Sequence, residues 1–160
     1  YYNEHIPLLN EVLKILKDKL FVNIEIKGGE KYYPGIIDRL VEETKDFGYK
    51  NILFSSFDRD TVVLLKKRYS ELKVNLLYAK WINPKRYINT LDGLNPYTFW
   101  CKEKLISYLH RSNKTVYVWT VDKDIDMIYF ILCGVDGIVT NYPRVLKKIS
   151  KVTQSILSDF

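Results

Sequence analysis

Apolar residues recur along this chain with two alternating periods. Over 8–20 they fall at Leu9, Val12, Leu13, Leu16 and Leu20, the spacing of one helix face. The next run, LFVNIEIK at 20–27, alternates instead. Val22, Ile24 and Ile26 take one side and Asn23, Glu25 and Lys27 the other, as in a strand that Gly28-Gly29 ends. Helical spacing returns over 34–47 through Ile36, Ile37, Leu40, Val41 and Thr44, and Gly48 stands where such a helix would stop. The cycle then repeats as a strand at 51–57, a helix with Asp58 as its N-cap, and a strand at 73–80. Past Asn83-Pro84 the pattern predicts a short helix to about Leu91 and a short strand within 92–99. A helix over 102–111 and a strand at 115–121 follow. Next come a helix from about Ile125 to Leu132, capped by Asp122 and ended by Gly134, a strand at 136–141, and a helix opened by Pro143.

Strands separated by helices of this length call for a parallel sheet, because parallel neighbours need a crossover. No linker, low-complexity stretch or repeat interrupts the pattern, so residues 1–160 read as one domain. An open doubly wound sheet and a closed barrel both fit the order of elements. The strand at 20–27 favours the barrel. Successive polar and ionisable groups on one face of a central strand are costly in a dry sheet core. They suit the polar mouth of a barrel, where strand C-termini build active sites. No glycine-rich phosphate loop follows any strand, which weakens the nucleotide-binding alternative.

Composition changes this picture little. The charged fraction of 28% and hydrophobic fraction of 47% are those of a globular domain. No apolar run is long enough to cross a membrane, and the N-terminal YYNEHIP has no signal-peptide pattern. The first residue is not Met, so the natural chain is expected to start earlier. The net charge of +6 is spread over helix-like segments such as Lys14, Lys17, Lys19 and Lys147, Lys148, Lys151, so most of these are read as solvated helix faces. Without a clustered arginine and aromatic stripe, no nucleic-acid partner is expected. Cys101 and Cys133 have no metal-binding spacing and read as buried free thiols in helical segments.

Glu25 and Lys27 are the sharpest candidates. A carboxylate can ligate a hard divalent cation, and an ammonium two residues on, on the same face, can hold a phosphate oxygen. Together they suit a metal-assisted phosphoryl site. An internal salt bridge at a strand end fits the same spacing equally well. Ser55 and Ser56 end a strand, but no GxSxG elbow or partnered histidine accompanies them, so they are expected to pack or to bond backbone at the mouth. Tyr78, Trp81 and Tyr97 could line a substrate wall or pack in the core. Asn95 is a strand-end polar residue of open role. Asp58, Arg59 and Asp60 read as helix-start chemistry, Asp136 as a turn residue before the last strand, and His110 as a helix-end surface histidine.

Taken in order, IPLLNEVL, NIEIK, LFSSFD, VYVWTVD and GVDGIVTNYP resemble the glycerophosphodiester phosphodiesterase family. Each motif alone is weak, but the ordered series spans about Ile6 to Lys148. The resemblance implies an α/β fold, a parallel (β/α)8 TIM barrel of the phospholipase C-like phosphodiesterase type. It implies metal-dependent hydrolysis of glycerophosphodiesters to sn-glycerol 3-phosphate and an alcohol, with Mg2+ or Ca2+ as cofactor. By the same resemblance Glu25 corresponds to a metal ligand, Lys27 to a phosphate-contacting residue and Trp119 to an aromatic residue lining the substrate mouth. The family's HRG and HD histidines and its E-x-D pair of metal ligands have no counterpart here, and His5 and His110 lack their context. The chain is therefore expected to be the C-terminal part of such a barrel, lacking its first three strands and inactive alone. The other reading is a non-catalytic barrel fragment or degenerate domain that binds phosphate esters or acts as a scaffold. A cytoplasmic location is expected.

Overall fold

Every segment expected to be a strand forms one, and helices or helical turns separate them. The computed structural model describes residues 5–17 and 19–158. Contacts divide the chain into two compact units, 1–75 and 76–160, and the boundary falls inside the third strand. Six strands follow one another in the sheet in chain order: β1 (Val22–Glu25), β2 (Ile52–Ser56), β3 (Lys73–Tyr78), β4 (Gly93–Pro96), β5 (Thr115–Val118) and β6 (Gly137–Ile138). Among the described residues no helix is long and apolar enough to cross a membrane.

In the first unit β1 and β2 pair in parallel, with Val22 opposite Ile52 and Glu25 opposite Ser55. The Ile26 amide still donates to the Ser55 carbonyl at 2.7 Å, so pairing runs one residue past the regular strand. All five residues of β2 are buried, as expected of a strand covered by helices on one face and core on the other. Helix α1 (Leu9–Leu16) is shorter than its apolar pattern suggested, and Asp18, inside the expected extension, lies outside the described residues. Glu11 reaches back to accept from the Leu8 amide at 2.8 Å, supplying the returning half of a capping box.

The glycine pair at 28–29 does more than end β1. Gly28 and Gly29 have φ of +73° and +70°, and α2 (Gly29–Tyr32) begins at once, a helical turn the apolar pattern did not reveal. Glu30 of that turn accepts from the amides of Gly35 and Ile37, at 2.9 and 3.2 Å, and so serves the N-terminus of α3 (Ile36–Thr44). A single 3-10 turn, Lys45–Phe47, carries the chain to Gly48, as the glycine signal implied. Asp58 caps α4 (Arg59–Arg68) as expected, accepting from the Asp60 amide at 3.3 Å and the Thr61 hydroxyl at 2.5 Å. Ile37, Ile52, Phe54, Val62 and Leu65 form the centre of this unit's core. Each such side chain removed from water contributes roughly 1.5–3 kcal/mol.

In the second unit β4 pairs with β5 and β5 with β6, all parallel. The segment 84–91 is not the expected short helix. It makes one 3-10 turn, Pro84–Arg86, opened by Asn83 accepting from the Lys85 amide at 3.1 Å, and then a series of turns to Leu91. Helix α5 (Glu103–Arg111) packs against β5 through Ile106 and Leu109. Helix α6 (Asp124–Leu132) starts at Lys123 rather than at an Asp122 cap, because the Asp122 carboxylate is engaged elsewhere. Strand β6 is two residues long where six were expected, though the Val139 amide bonds the Val118 carbonyl and the Val121 amide the Val139 carbonyl, both at 2.9 Å. Helix α7 (Pro143–Ser158) packs on α6. Cys101 is buried but sits between a 3-10 turn and α5, not in a helix, and Cys133 is only half-buried.

Candidate active site

The polar face of β1 keeps the alternation read from its sequence. Asn23 accepts from the Ser55 hydroxyl of β2 at 2.9 Å, so the first polar position is satisfied across the strand pair. Two residues on, at the C-terminal end of the strand, stands Glu25. Lys27 Nζ lies 2.6 Å from Glu25 Oε1. Both readings of that spacing therefore meet in one geometry: the two groups are paired, and they face an open cleft. The cleft, about 450 Å3, is lined by Glu25, Lys27, Lys31, Tyr32, Asp58 and Asp60 among others. The lysine is 78% exposed and the glutamate 30%, so the pair contributes on the order of 0–1 kcal/mol to stability and holds its members where a ligand can reach them.

Local chemistry shapes the cleft. Ser56 donates to the Ile26 carbonyl at 2.6 Å and accepts from the Asp58 amide at 3.1 Å, bonds to backbone as expected, whereas Ser55 donates to the Asn23 side chain instead. The tight approach of α2 to α4 requires Gly29. A Cβ there would lie 2.3 Å from both Asp58 Oδ2 and Thr61 Oγ1. That turn brings Lys31 and Tyr32 to the cleft, two residues that strand and helix periodicity did not single out. The Gly28-Gly29 pair was the available signal.

Trp119 belongs to the second unit. Its indole Nε1 donates to the Asn95 carbonyl at 2.8 Å, and its ring stands 5.3 Å from that of Tyr97 at 59°. The Trp119 amide donates to the Pro96 carbonyl at 3.2 Å, and its carbonyl accepts from Thr98 at 2.9 Å, so β4 and β5 together fix it at their C-terminal ends. Of the other aromatic candidates, Tyr78 is buried and Trp81 is exposed. Burial pushes the Tyr78 hydroxyl well above the usual phenol range.

Asp122 accepts from the Thr140 hydroxyl at 3.0 Å and from the amide and side-chain nitrogen of Asn141, both at 2.8 Å. These bonds, the Asn141 amide foremost, hold its carboxyl below the ordinary range. The residue is a clamp between the loops after β5 and β6, not a helix cap. Asp136 does serve the turn before β6, accepting from the Val116 amide at 2.8 Å, and the same oxygen lies 3.0 Å from His110 Nε2. His110 is thus a half-exposed residue near the end of α5 with a carboxylate partner. His5 is exposed and stands 3.5 Å from Glu11, far in sequence from either group above.

A divalent cation takes six to eight oxygens as calcium, or an octahedral shell as magnesium. Glu25 fits as one oxygen ligand in an open, polar cleft. Among the described residues no group of three or more histidines, cysteines or acids could hold a metal ion, so they assemble no complete cation shell.

A model of the Glycerophosphoryl diester phosphodiesterase family matches residues 1–145. A glycerophosphodiester phosphodiesterase of Caldanaerobacter subterraneus subsp. tengcongensis is 34% identical over 151 residues, covering 91% of this chain and 62% of the relative. One from Bacillus altitudinis is 29% identical over 152 residues, covering 90% and 62%. The chain thus spans about three-fifths of the length of these curated relatives. Solved structures share the fold. A glycerophosphodiester phosphodiesterase from Parabacteroides distasonis matches with a TM-score of 0.78 at 21% identity, over 94% of this chain and 65% of that one. An Oleispira antarctica phosphodiesterase in complex with the product sn-glycerol-3-phosphate matches with a TM-score of 0.70 at 20% identity, over 79% and 53%.

Proposed function

The chain belongs to the glycerophosphoryl diester phosphodiesterase family, and on that premise we propose that the protein hydrolyses glycerophosphodiesters to sn-glycerol 3-phosphate and an alcohol. The fold we propose is a (β/α)8 barrel to which this chain contributes six strands. The observation that carries the functional reading is the Glu25–Lys27 pair at the C-terminal end of β1, 2.6 Å apart and open to a cleft of about 450 Å3.

In this reading Glu25 offers a carboxylate oxygen to Mg2+ or Ca2+, and the cation supplies Lewis-acid polarisation of the phosphoryl group. Lys27, exposed on its flexible stem, turns from Glu25 to a phosphate oxygen, a charge-assisted bond stronger than a neutral one. Ser56 and Asp58 hold the cleft wall through the bonds described above. Trp119, braced by Asn95 and Tyr97, offers an aromatic face to the glycerol or alcohol part of the substrate. One carboxylate cannot complete a cation's shell, so the 160 residues alone are expected to show no turnover.

The test is glycerol 3-phosphate release from glycerophosphocholine, with and without chelator, by the natural full-length protein and by the 160-residue chain. Glu25→Gln in the full-length protein should lower kcat at least about a hundredfold with the circular dichroism spectrum unchanged, and Lys27→Ala should raise KM for the diester. Chelator-sensitive turnover by the 160-residue chain would show that the catalytic groups are misplaced here. Full activity of Glu25→Gln would refute the metal-ligand role. Binding of phosphate esters by a full-length protein without turnover would favour the non-catalytic module instead.

A further inference from the structure

The cleft at the end of β1 holds more than the pair proposed to meet cation and phosphate. Lys31, Tyr32, Phe57, Asp58 and Asp60 also line it, all within the first unit. Both aromatic rings are open to water, Tyr32 at 69% exposure and Phe57 at 46%. The Lys31 ammonium lies over the Tyr32 ring, 5.7 Å from its centroid, so that ring already presents its negative face to a cation. The two aspartates differ. Asp58 accepts from the Asp60 amide on one oxygen and from the Thr61 hydroxyl on the other. The exposed Asp60 carboxylate has no hydrogen bond or ion pair among the described residues. The turn that carries Lys31 and Tyr32 is held at both ends. The Glu30 amide donates to Thr61 Oγ1 at 2.8 Å, and the Glu30 carboxylate accepts from the amides of Gly35 and Ile37. The backbone that presents the Tyr32 ring is therefore fixed before any ligand arrives.

We propose that Tyr32, Phe57 and Asp60 form a subsite for a quaternary ammonium headgroup, so that the preferred diesters are those of choline-like alcohols. This rests on the phosphodiesterase reading above, because the phosphate is what brings the headgroup to the cleft. In such a diester a two-carbon arm joins the ester oxygen to the nitrogen, so a phosphate held by Lys27 keeps the cation at high effective concentration beside the rings. Charge favours the same occupant. The chain carries a net charge of +6, yet this cleft presents three carboxylates, Glu25, Asp58 and Asp60, against two ammoniums. Lys27 is matched by Glu25, which leaves Lys31 alone against two aspartates. Lys31 marks the seat of the cation. Its ammonium is strongly hydrated and swings on an exposed, flexible stem, whereas a quaternary ammonium gives up little water to lie on an aromatic face. A headgroup bearing a further negative charge would meet Asp60 there.

The test compares glycerophosphocholine with its 3,3-dimethylbutyl isostere, in which carbon replaces the charged nitrogen, on the natural full-length protein. The readout is the ratio of the two kcat/KM values, in which any general loss of activity or fold cancels. The wild type should favour the choline diester by about 3- to 30-fold. Tyr32→Leu and Asp60→Asn should each move the ratio most of the way to one, and Lys31→Met, which removes the resident cation, should raise it. A wild-type ratio near one, or a preference that Tyr32→Leu and Asp60→Asn both leave intact, would overturn the proposal. So would a preference for a diester whose alcohol bears a further phosphate, abolished by Lys31→Met, which would give the cleft to an anion. If the full-length protein turns over neither diester, the phosphodiesterase reading fails, and calorimetric affinities for the same two compounds still decide the subsite. Tighter binding of the choline diester, lost in Tyr32→Leu, would support it, and equal or absent affinity would refute it.

Discussion

Gly29→Ala isolates how the cleft wall is built. Gly29 has φ of +70°, a region that costs an ordinary L-residue about 1–2 kcal/mol. Its added Cβ would also lie 2.3 Å from Asp58 Oδ2 and from Thr61 Oγ1, and 3.1 Å from Asp58 Cβ. Asp58 is the cap of α4, and Thr61 Oγ1 accepts from the Glu30 amide at 2.8 Å, so neither oxygen can retreat without breaking a bond. A lost cap costs about 0.5–2 kcal/mol, which brings the expected total to about 1.5–4 kcal/mol. Gly35→Ala is the matched control. Its φ is +85°, but nothing stands within 4 Å of its Cβ, so only the conformational cost applies. Urea unfolding followed by circular dichroism should give both variants a lower midpoint with unchanged slope. Gly29→Ala should fall further, by about 0.5–2 kcal/mol. If it is no more destabilised than Gly35→Ala, the close packing of α2 on the start of α4 is not what Gly29 provides.

Two further outcomes follow from other sites. Asp122 has a carboxyl pKa depressed by the Asn141 amide, so its contribution is fully present above the unfolded carboxylate value of about 3.9 and is lost as pH falls through its lower folded value. Hydrogen exchange should find the Asn141 amide protected at neutral pH and less so in Asp122→Asn. Equal protection in the two proteins would remove the clamp from the account. Burial pushes the Cys101 thiol up to about 12, so Cys101 should resist thiolate-directed reagents at neutral pH until denaturant is added, as mass spectrometry of labelled peptides can read. Rapid labelling of Cys101 in the native protein would contradict that burial.

The legible features were those set by local periodicity. Strands β1 to β5 and helices α3 to α6 follow from apolar spacing, because the burial of an apolar face is the main force that selects them. The Asp58 cap and the glycine stops at 48 and 134 follow from chemistry within four residues. What stayed hidden depends on partners far along the chain. Asp122 looked like a cap because it precedes α6, yet three donors from Thr140 and Asn141 win its oxygens. Glu30 serves α3 across a turn that only the positive φ of two glycines permits. The stretch 84–91 carried helical spacing over too short a length, and Asn83-Pro84 set up a 3-10 turn instead.

The candidate site shows the same division. Alternation alone put Asn23, Glu25 and Lys27 on one face of β1, and the structure resolves that face into two regimes. Asn23 lies within the strand pairing and is satisfied by Ser55. Glu25 and Lys27 lie at its end, where their side chains bond to each other. A polar group in the middle of a strand pair has a neighbouring strand to bond, and Asn23 uses it although it is exposed to water. One at the strand end can keep its capacity for a ligand. That difference in position, not in residue type, separates the structural asparagine from the two residues proposed to meet cation and phosphate. Burial does not sort the three positions: Asn23 and Lys27 are exposed and Glu25 is half-buried.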